Sequence, residues 1–395
     1  MKKNKLLIIL STLGLYLIAT GISYSVFSGG QTGALGGEDT SAPTASESKG
    51  KNDYDRLAFD ESLPKTEACP LNGQKYSKQH KDWWSKHRPL GVMIENHQES
   101  RPQSGISFSD VVYEAVAEGG ITRFLVIYYC DDAGIVGPVR SARTYFLDFI
   151  SEYGSYPLYA HVGGANTPGP ADALGQIIDY GWNSYNDLNQ FSIGFPTFKR
   201  DEDRLGRPVA TEHTMYSTTS KLWAVGKERG LTNEDKAGDS WEDEFVAYEF
   251  KDDAKESARP AAQTVAVEFW SNQPNYDVIW KYDTASNSYL RSNGGEAHED
   301  NNPDQQLAAK NVVVMYMRES NANDGYEGNA HMLYGTEGSG KALIFQDGKQ
   351  IAGTWEKDGR ESRTVFTDAS GKEIKFVRGK IWFSVIATDS VVDVN

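Results

Sequence analysis

Residues 119–153 read GGITRFLVIYYCDDAGIVGPVRSARTYFLDFISEY, and this stretch carries the pattern that decides the fold. ITRFLVIYY is rich in β-branched and aromatic residues and therefore predicts a strand. Gly137-Pro138 marks a turn, and TYFLDFISEY then places apolar side chains at helical spacing, namely Phe146, Phe149, Ile150 and Tyr153. A strand followed by a helix with one apolar face indicates a layer of helices on a sheet.

The segments on either side of this stretch continue the alternation of strands and helices. Short apolar runs that predict strands are LGVMIEN, DVVYEAV (a strand or a short helix) and PLYAHVGG. Helical patterns are ADALGQIIDYGW, closed by Gly181, and SKLWAVGKERG, ended by Gly230. We therefore predict a layered N-terminal α/β domain over residues 67–235.

The predicted secondary structure changes after an acidic, Ala-rich stretch at residues 236–262, which we interpret as a linker. Gly, Asn and Asp turns then separate short β-type runs such as VAVEFW, YDVIWKYD, NVVVMYM, KALIFQ and KIWFSVIA. This pattern predicts a mostly antiparallel β domain at residues 263–395. The fold class expected for the whole chain is α+β, with an N-terminal layered α/β domain followed by this β domain.

The N-terminus has the features of a membrane-targeting segment. MKKNK supplies three lysines, and Leu6–Phe27 contains no charged residue. As a helix, such a segment covers roughly 30 Å, the thickness of a bilayer core. We expect residues 1–27 to be a transmembrane anchor or uncleaved signal, with a cleaved signal peptide as the alternative. Residues 28–66 would be a flexible linker, and the folded domains would lie outside the cytoplasm, on a single-pass protein of the cell membrane.

The amino-acid composition and net charge limit the kinds of partner that the protein could bind. Hydrophobic residues make up 39% of the chain and charged residues 24%, which is typical of a soluble globular part. The formal net charge is −15 at pH 7. Nucleic acids require a basic face, so we expect no nucleic-acid partner. No cofactor is expected either.

The two cysteines, Cys69 and Cys130, both follow the targeting segment. An even pair outside the cytoplasm favours a disulfide bond, and two buried free thiols are the alternative. Because no histidines are suitably spaced around these cysteines, no metal site is assigned.

Residues 335–342, GTEGSGKA, nearly match the phosphate-binding loop G-x-x-x-x-G-K-[S/T]. Ala342 stands where that loop needs a hydroxyl for Mg²⁺, and the following ALIFQ predicts a strand instead of a helix. We interpret the stretch as a hairpin turn.

The GPVRSAR segment at residues 137–143 places two cations at the start of the predicted helix, with Ser141 as its N-cap. The helix dipole disfavours such cations by a few tenths to about 1 kcal/mol each. Glu114 and Glu118 could compensate internally, or an external anion could bind to the guanidinium groups of Arg140 and Arg143. In a layered domain, polar loops of this kind gather at one edge of the sheet.

We therefore predict an anion-recognising cleft, the alternative being arginine–glutamate pairs that only lock loops and histidines that only fill the core. Side chains in these loops could shift one another's pKa values. The candidate ligand-binding residues are Glu95, Asn96, Arg101, Glu114, Glu118, Arg123, Arg140, Ser141, Arg143, His161 and His213.

The motifs MIENHQESRPQSG, YEAVAEGGITRF, GPVRSAR, HVGG and EHTMY occur in this order, followed by NVVVMYM, GSGKALIFQDGK and GTWEK. In these motifs the chain resembles the YerB-like family of bacterial envelope proteins, over roughly residues 85–390. The resemblance implies an exported, membrane-associated protein with two domains of unknown function, and it assigns no reaction. Family members often carry a lipid-modified cysteine after the signal, whereas the first cysteine here is Cys69, so a transmembrane anchor would replace the lipid.

Two classes of function remain open from the sequence. The favoured one is a cell-envelope binding or scaffolding module that holds an anionic wall component or an envelope protein. The alternative is a hydrolase or lyase of wall glycan or phosphodiester polymers, with Glu114 or Glu118 as general acid or base and His161 as partner. A third possibility is a domain that assists wall-synthesis enzymes through an apolar patch. No recognisable nucleophile–base motif occurs, so the sequence assigns no catalytic residue.

Overall fold

The structure is a computed structural model that describes residues 56–328 and 330–395. Its strands in chain order are β1 (Lys65–Ala68), β2 (Lys75–Ser77), β3 (Leu90–Glu95), β4 (Val111–Glu118), β5 (Ile121–Tyr128), β6 (Ile135–Val136), β7 (Leu158–His161), β8 (Asp187–Asn189), β9 (Lys199–Arg200), β10 (Met215–Thr218), β11 (Phe250–Lys251), β12 (Thr264–Val267), β13 (Val278–Asp283), β14 (Ser288–Asn293), β15 (Glu296–Ala297), β16 (Glu299–Asp300), β17 (Gln305–Gln306), β18 (Ala308–Ala309), β19 (Asn311–Met317), β20 (Glu319–Asn321), β21 (Met332–Tyr334), β22 (Gly338–Gln346), β23 (Lys349–Lys357), β24 (Val365–Asp368), β25 (Phe376–Val377), β26 (Ile381–Ala387) and β27 (Val392–Val394).

Helices are few and short in the described part of the chain. The α-helices are α1 (Lys78–Trp84), α2 (Thr144–Ile150), α3 (Ala173–Asp179), α4 (Gln190–Ile193) and α5 (Thr219–Glu228). Single 3₁₀ turns occur at Gln98–Ser100, Ile106–Phe108, Thr211–His213, Trp241–Glu244, Glu256–Ala258, Pro274–Tyr276 and Tyr326–Gly328. The fold is thus largely β, with several sheets.

The largest sheet has ten strands in the order β24-β23-β22-β19-β26-β4-β5-β3-β7-β8. Its middle is made by β26 and β4, which pair in parallel, with Ile381 opposite Val111. Residues on both sides of 236–262 therefore contribute to one continuous sheet. Within 236–262, Trp241 is buried and β11 pairs with β25.

A six-stranded sheet is formed in the order β15-β14-β13-β12-β27, with β18 paired to β14. Side chains along β13 alternate between buried and exposed. This alternation is the pattern of an antiparallel sheet with one face on the core and one face on the solvent.

The opening stretch folds largely as its pattern predicts. ITRFLVIYY forms β5, and the following helix is α2, which contacts β5. The helix begins at Thr144 with Arg143 at the N-cap, so the predicted N-cap at Ser141 is wrong. The physical reason is tertiary: Ala142 N donates to Gly163 O at 2.9 Å, and this contact holds the residues before the helix against the loop after β7.

The late helix α5 contacts β3 and β7. Gly226 permits this close approach, because a Cβ at that position would lie 2.6 Å from Leu158 Cδ1. The predicted helix end at Gly230 agrees with its φ of +81°, a backbone conformation that favours glycine.

A disulfide bond joins Cys69 and Cys130, with sulfur atoms 2.10 Å apart. The predicted bridge is confirmed, and it connects the turn after β1 to the end of β5. Arg56 pairs with Asp131 beside this bridge, and Leu57 N donates to Asp132 Oδ2 at 2.6 Å.

The GTEGSGKA stretch does not form a hairpin turn, and that interpretation is wrong. Residues from Gly338 already belong to β22, and the turn lies further on, at Asp347-Gly348. The glycines serve packing: a Cβ at Gly340 would lie 2.6 Å from Trp355 Nε1, which donates to Tyr316 O at 3.0 Å.

The predicted membrane span Leu6–Phe27 lies outside the described residues, as does most of the predicted linker 28–66. Within residues 56–328 and 330–395, no helix has both the length and the apolar character that a membrane crossing requires.

Candidate functional site

The hairpin between β4 and β5 positions an ion-pair cluster. Gly119 and Gly120 have φ values of +57° and +84° and form the tight connection. Glu118 Oε1 then accepts from Arg123 Nη2 at 2.9 Å, and Oε2 accepts from Arg143 Nη2 at 2.5 Å. Burial alone would raise the pKa of Glu118, but the charges and hydrogen bonds of the two arginines lower it to about 2. Glu118 is therefore ionised at neutral pH, with both oxygens engaged.

A second cluster forms around Glu95, the last residue of β3, which lies opposite Arg123 in the sheet. Its buried carboxylate accepts from Arg140 Nε at 3.2 Å and from His213 Nδ1 at 2.8 Å. Burial raises the pKa of Glu95, but the hydrogen bond from His213 and the charges of Arg140 and Arg123 outweigh it, so that the pKa is lowered. The positive charge of Arg123 therefore stabilises the ionised form of the glutamate in both clusters, Glu95 and Glu118.

A third group lies deeper. Arg291 Nη2 donates to both oxygens of Glu114, at 2.7 and 2.8 Å, and both side chains are fully buried. Trp382 Nε1 donates to the same carboxylate at 3.0 Å, and Thr122 Oγ1 donates to it at 2.9 Å. Glu114 thus belongs to the interior, where it has no open space beside it for a substrate.

Asn96 and Arg101 extend the hydrogen-bond network of this group towards the surface. Arg101 Nε donates to Asn96 Oδ1 at 3.0 Å, and its Nη1 donates to Asn275 O at 2.9 Å. Asn96 Nδ2 donates to Thr122 Oγ1 at 2.7 Å. These bonds tie the loop after β3 to the second half of the chain.

His161 at the end of β7 lies apart from the clusters. Its Nδ1 is 2.6 Å from Gly163 O and its Nε2 is 2.5 Å from Asp187 Oδ1. The ring is fully buried, and both nitrogens are engaged. This is the arrangement of a satisfied core histidine.

An open cavity of about 570 Å³ adjoins the first two clusters, and we call it the Arg140 cleft. It lies between the GPVRSAR segment, the loop after β7 and the residues around β9. Its lining consists of Val139, Arg140, Ser141, Val162, Gly163, Gly164, Asn166, Leu174, Phe191, Arg200, Thr211, Glu212 and Met215.

Arg140 is the predicted residue that faces this cleft most directly. Its side chain is 26% exposed, and its Nε is held by Glu95. No hydrogen bond within residues 56–328 and 330–395 uses its two terminal nitrogens. Across the cleft, Arg200 is exposed and donates to Thr211 O and, at 3.2 Å, to Thr214 Oγ1. Two guanidinium groups therefore border one open space.

The structure brings part of the predicted set together. Arg140 and Ser141 line the cleft, with five residues in the two clusters behind or beside them: Glu95, Glu118, Arg123, Arg143 and His213. Glu114, Asn96, Arg101 and His161 lie outside it. Sequence reasoning missed Arg200, Asn166 and Phe191, of which only Asn166 lies close to one of the motifs, two residues after HVGG. It also missed Arg291, which no local signal marks.

One set of described side chains outside the disulfide offers metal ligands. His97, Glu99 and His213 each present a ligand atom, and these atoms lie within 4.8 Å of one another.

The geometry is that of a disulfide-bonded, largely β protein whose two halves share a sheet, and family models define the class further. Residues 73–232 match the model described as "Protein of unknown function (DUF3048) N-terminal domain", and residues 265–383 match the corresponding C-terminal domain. The chain therefore belongs to the YerB-like family, which combines these two domains.

Two relatives illustrate the similarity. The chain is 28% identical over 329 residues to "Putative lipoprotein YerB" of Bacillus subtilis (strain 168), covering 80% of this chain and 86% of that protein. It also matches the crystal structure of YerB protein from Bacillus subtilis with a TM-score of 0.67 and 24% identity. That match covers 84% of this chain and 100% of the other, and it supports the same fold.

Proposed function

We propose that this protein is a membrane-anchored, extracytoplasmic binding module that recognises an anionic group of a cell-envelope component in the Arg140 cleft. The single observation that carries this proposal is the guanidinium of Arg140. It is fixed at Nε by Glu95, while its two terminal nitrogens are without a partner in the described residues and border an open cavity. A guanidinium held in this way is pre-organised for a carboxylate or phosphate.

The charge balance supports an anionic ligand. Arg123, Arg140 and Arg143 face two carboxylates, those of Glu95 and Glu118. This leaves one positive charge, which the opposite charges of Arg200 and Glu212 in the same cleft do not change, on a chain whose formal net charge is −15. In a partly desolvated cleft, such a local excess attracts anions more strongly than it would in water.

The apolar side of the cleft indicates what accompanies the anion. The lining of the cleft includes four apolar residues: Val162, Leu174, Met215 and Phe191, whose ring is highly exposed. Pockets that combine an apolar lining with few polar groups hold ligands by shape and orient them by charge. We infer a ligand with an anionic group beside an apolar part or a sugar ring.

The surroundings of the carboxylates favour binding over hydrolysis. Glu118 has a pKa of about 2 and both oxygens bonded to arginines, so it holds no proton to donate at neutral pH. Glu114 is fully buried against Arg291, and both nitrogens of His161 are engaged. The residues that the sequence offered for general acid–base work are thus occupied.

The remaining predictions about organisation belong to the same proposal. Leu6–Phe27 would anchor the protein, and a relative described as a lipoprotein supports membrane attachment. Residues 67–235 would form a layered α/β domain, 236–262 a linker and 263–395 a β domain. An anionic wall polymer or an envelope protein would be the partner, and nucleic acid would not.

Co-sedimentation of the full chain with purified cell-wall polymer tests the proposal. The wild-type chain should sediment with the polymer and release no soluble fragments. Arg140→Ala and Arg200→Ala should each weaken binding about 10-fold or more, because a charge-assisted hydrogen bond contributes about 1.5–3 kcal/mol. Lys281→Ala, which removes one exposed cation from β13, is the matched control and should bind as the wild type does. Equal binding by Arg140→Ala would refute the cleft, and released fragments would favour the hydrolase.

A further inference from the structure

Three side chains beside the Glu95 cluster have the chemistry of a transition-metal site. Glu99 lies in the 3₁₀ turn that follows β3, and His97 is the residue just before that turn. His213 is the last residue of the 3₁₀ turn before β10. The rings of His97 and His213 stack with centroids 4.7 Å apart and an angle of 8° between their planes. Two loops that are distant in sequence therefore bring two imidazoles and one carboxylate close together, with ligand atoms within 4.8 Å of one another.

The tautomer of His213 is suited to binding a metal. Its Nδ1 lies 2.8 Å from the carboxylate of Glu95, an arrangement that favours the tautomer with the hydrogen on Nδ1 and the lone pair on Nε2. A carboxylate behind a histidine in this way orients metal-binding histidines and increases their basicity. Glu95 is itself held by Arg140, so the orientation of the ring is fixed from behind.

The spacing of the ligand atoms points the same way. His213 Nε2 and Glu99 Oε2 are 3.7 Å apart, which is too long for a hydrogen bond. Two ligands of a tetrahedral Zn²⁺ ion with bonds of about 2.0–2.1 Å stand roughly 3.4 Å apart. Small side-chain movements would therefore bring both atoms onto one ion.

His97 can complete the set. Its ring is partly buried and stacks on the ring of His213. Its Nδ1 now accepts from Glu99 N at 3.2 Å, a long contact that ligation would weaken or replace. Glu99 is 48% exposed, so the fourth position of an ion here would be open to water.

We propose that His97, Glu99 and His213 bind one Zn²⁺ ion, with Glu95 as the positioning residue behind His213. Two imidazoles and one carboxylate favour zinc over magnesium or calcium, which prefer sites built from oxygen alone. This inference does not depend on ligand binding in the Arg140 cleft.

Isothermal titration of the untagged, metal-free full chain with ZnCl₂ tests the proposal, and MgCl₂ serves as the control ion. One Zn²⁺ per chain should bind, and Co²⁺ should give the intense visible absorption of a tetrahedral site. Glu99→Gln should weaken zinc binding at least about 10-fold without affecting folding, because Glu99 is exposed. Glu95→Gln, which removes the carboxylate behind His213 together with its ion pair to Arg140, should weaken zinc binding about 10- to 100-fold.

Two matched variants separate this site from adventitious binding. Glu202→Gln removes an exposed carboxylate from the loop after β9, and His331→Ala removes a histidine that also pairs with a carboxylate, Asp324. Both should retain wild-type zinc affinity. The proposal is overturned if zinc does not bind stoichiometrically, or if Glu99→Gln and His97→Ala bind zinc as tightly as the wild type.

Discussion

Glu118→Gln should lower the free energy of unfolding at pH 7 by about 3 kcal/mol. The substitution keeps the shape of the side chain but removes the charge that holds Arg123 and Arg143 together. The pKa of Glu118 is lowered from 4.5 to about 2, and a shift of that size corresponds to roughly 3 kcal/mol. The Glu118 side chain is 22% exposed, so solvent screening reduces this value only in part.

The same shift predicts how the effect depends on pH. The pKa is lower in the folded state than in the unfolded state, so the contribution of Glu118 is fully present above its unfolded pKa. It is lost as the pH falls towards about 2. The difference between wild type and variant should therefore shrink from about 3 kcal/mol at pH 7 to about 1 kcal/mol at pH 3.

Urea unfolding of the full chain at both pH values measures this difference. Glu256→Gln, which changes an exposed glutamate in a 3₁₀ turn, is the control and should unfold as the wild type does. A Glu118→Gln variant as stable as the wild type at pH 7, or one whose deficit is the same at pH 3, would refute the assignment of this stability to the buried ion pairs.

Two further predictions concern packing and covalent structure. Replacing Cys69 and Cys130 by Ala should cost about 4 kcal/mol, because the bond closes a loop with a sequence separation of 61. Calorimetry would detect this as a lower Tm, and an unchanged Tm would contradict it. Gly340→Ala should cost about 1–3 kcal/mol through overpacking, because the new Cβ would meet Trp355 Nε1 at 2.6 Å. Gly359→Ala, whose new Cβ would meet Ser362 Oγ at an ordinary contact distance of 3.8 Å, should be close to neutral by the same urea measurement.

Local periodicity predicted most elements of the first half, because a strand such as β5 and a helix such as α2 each carry their own pattern. It failed where a distant contact decides the backbone. Ser141 has the side chain of an N-cap, yet the pairing of Ala142 with Gly163 delays the helix to Thr144. The glycines of GTEGSGKA resemble a turn, yet their role is to make room for the Trp355 indole.

The candidate site was predictable as a group of loops but not as a set of contacts. Arg140 and Glu118 were recognisable because they stand out in a motif. Arg291 was not, since it lies 177 residues from its partner Glu114 and follows the ordinary alternation of β14. His97 and Glu99 could not be recognised as candidate metal ligands from the sequence, because the third ligand of the group, His213, comes from a distant loop.

The parallel pairing of β4 with β26 also affects when the central sheet can form during synthesis of the chain. One edge of β4 stays unpaired until residues 381–387 have been made, although β4 itself ends at residue 118. At about 5–20 residues per second, that interval lasts roughly 15–50 s of synthesis. The centre of the sheet therefore stays open in the nascent chain until β26 has been made. We expect cells to guard this delay with a chaperone, and we expect early termination before residue 381 to disable both halves at once.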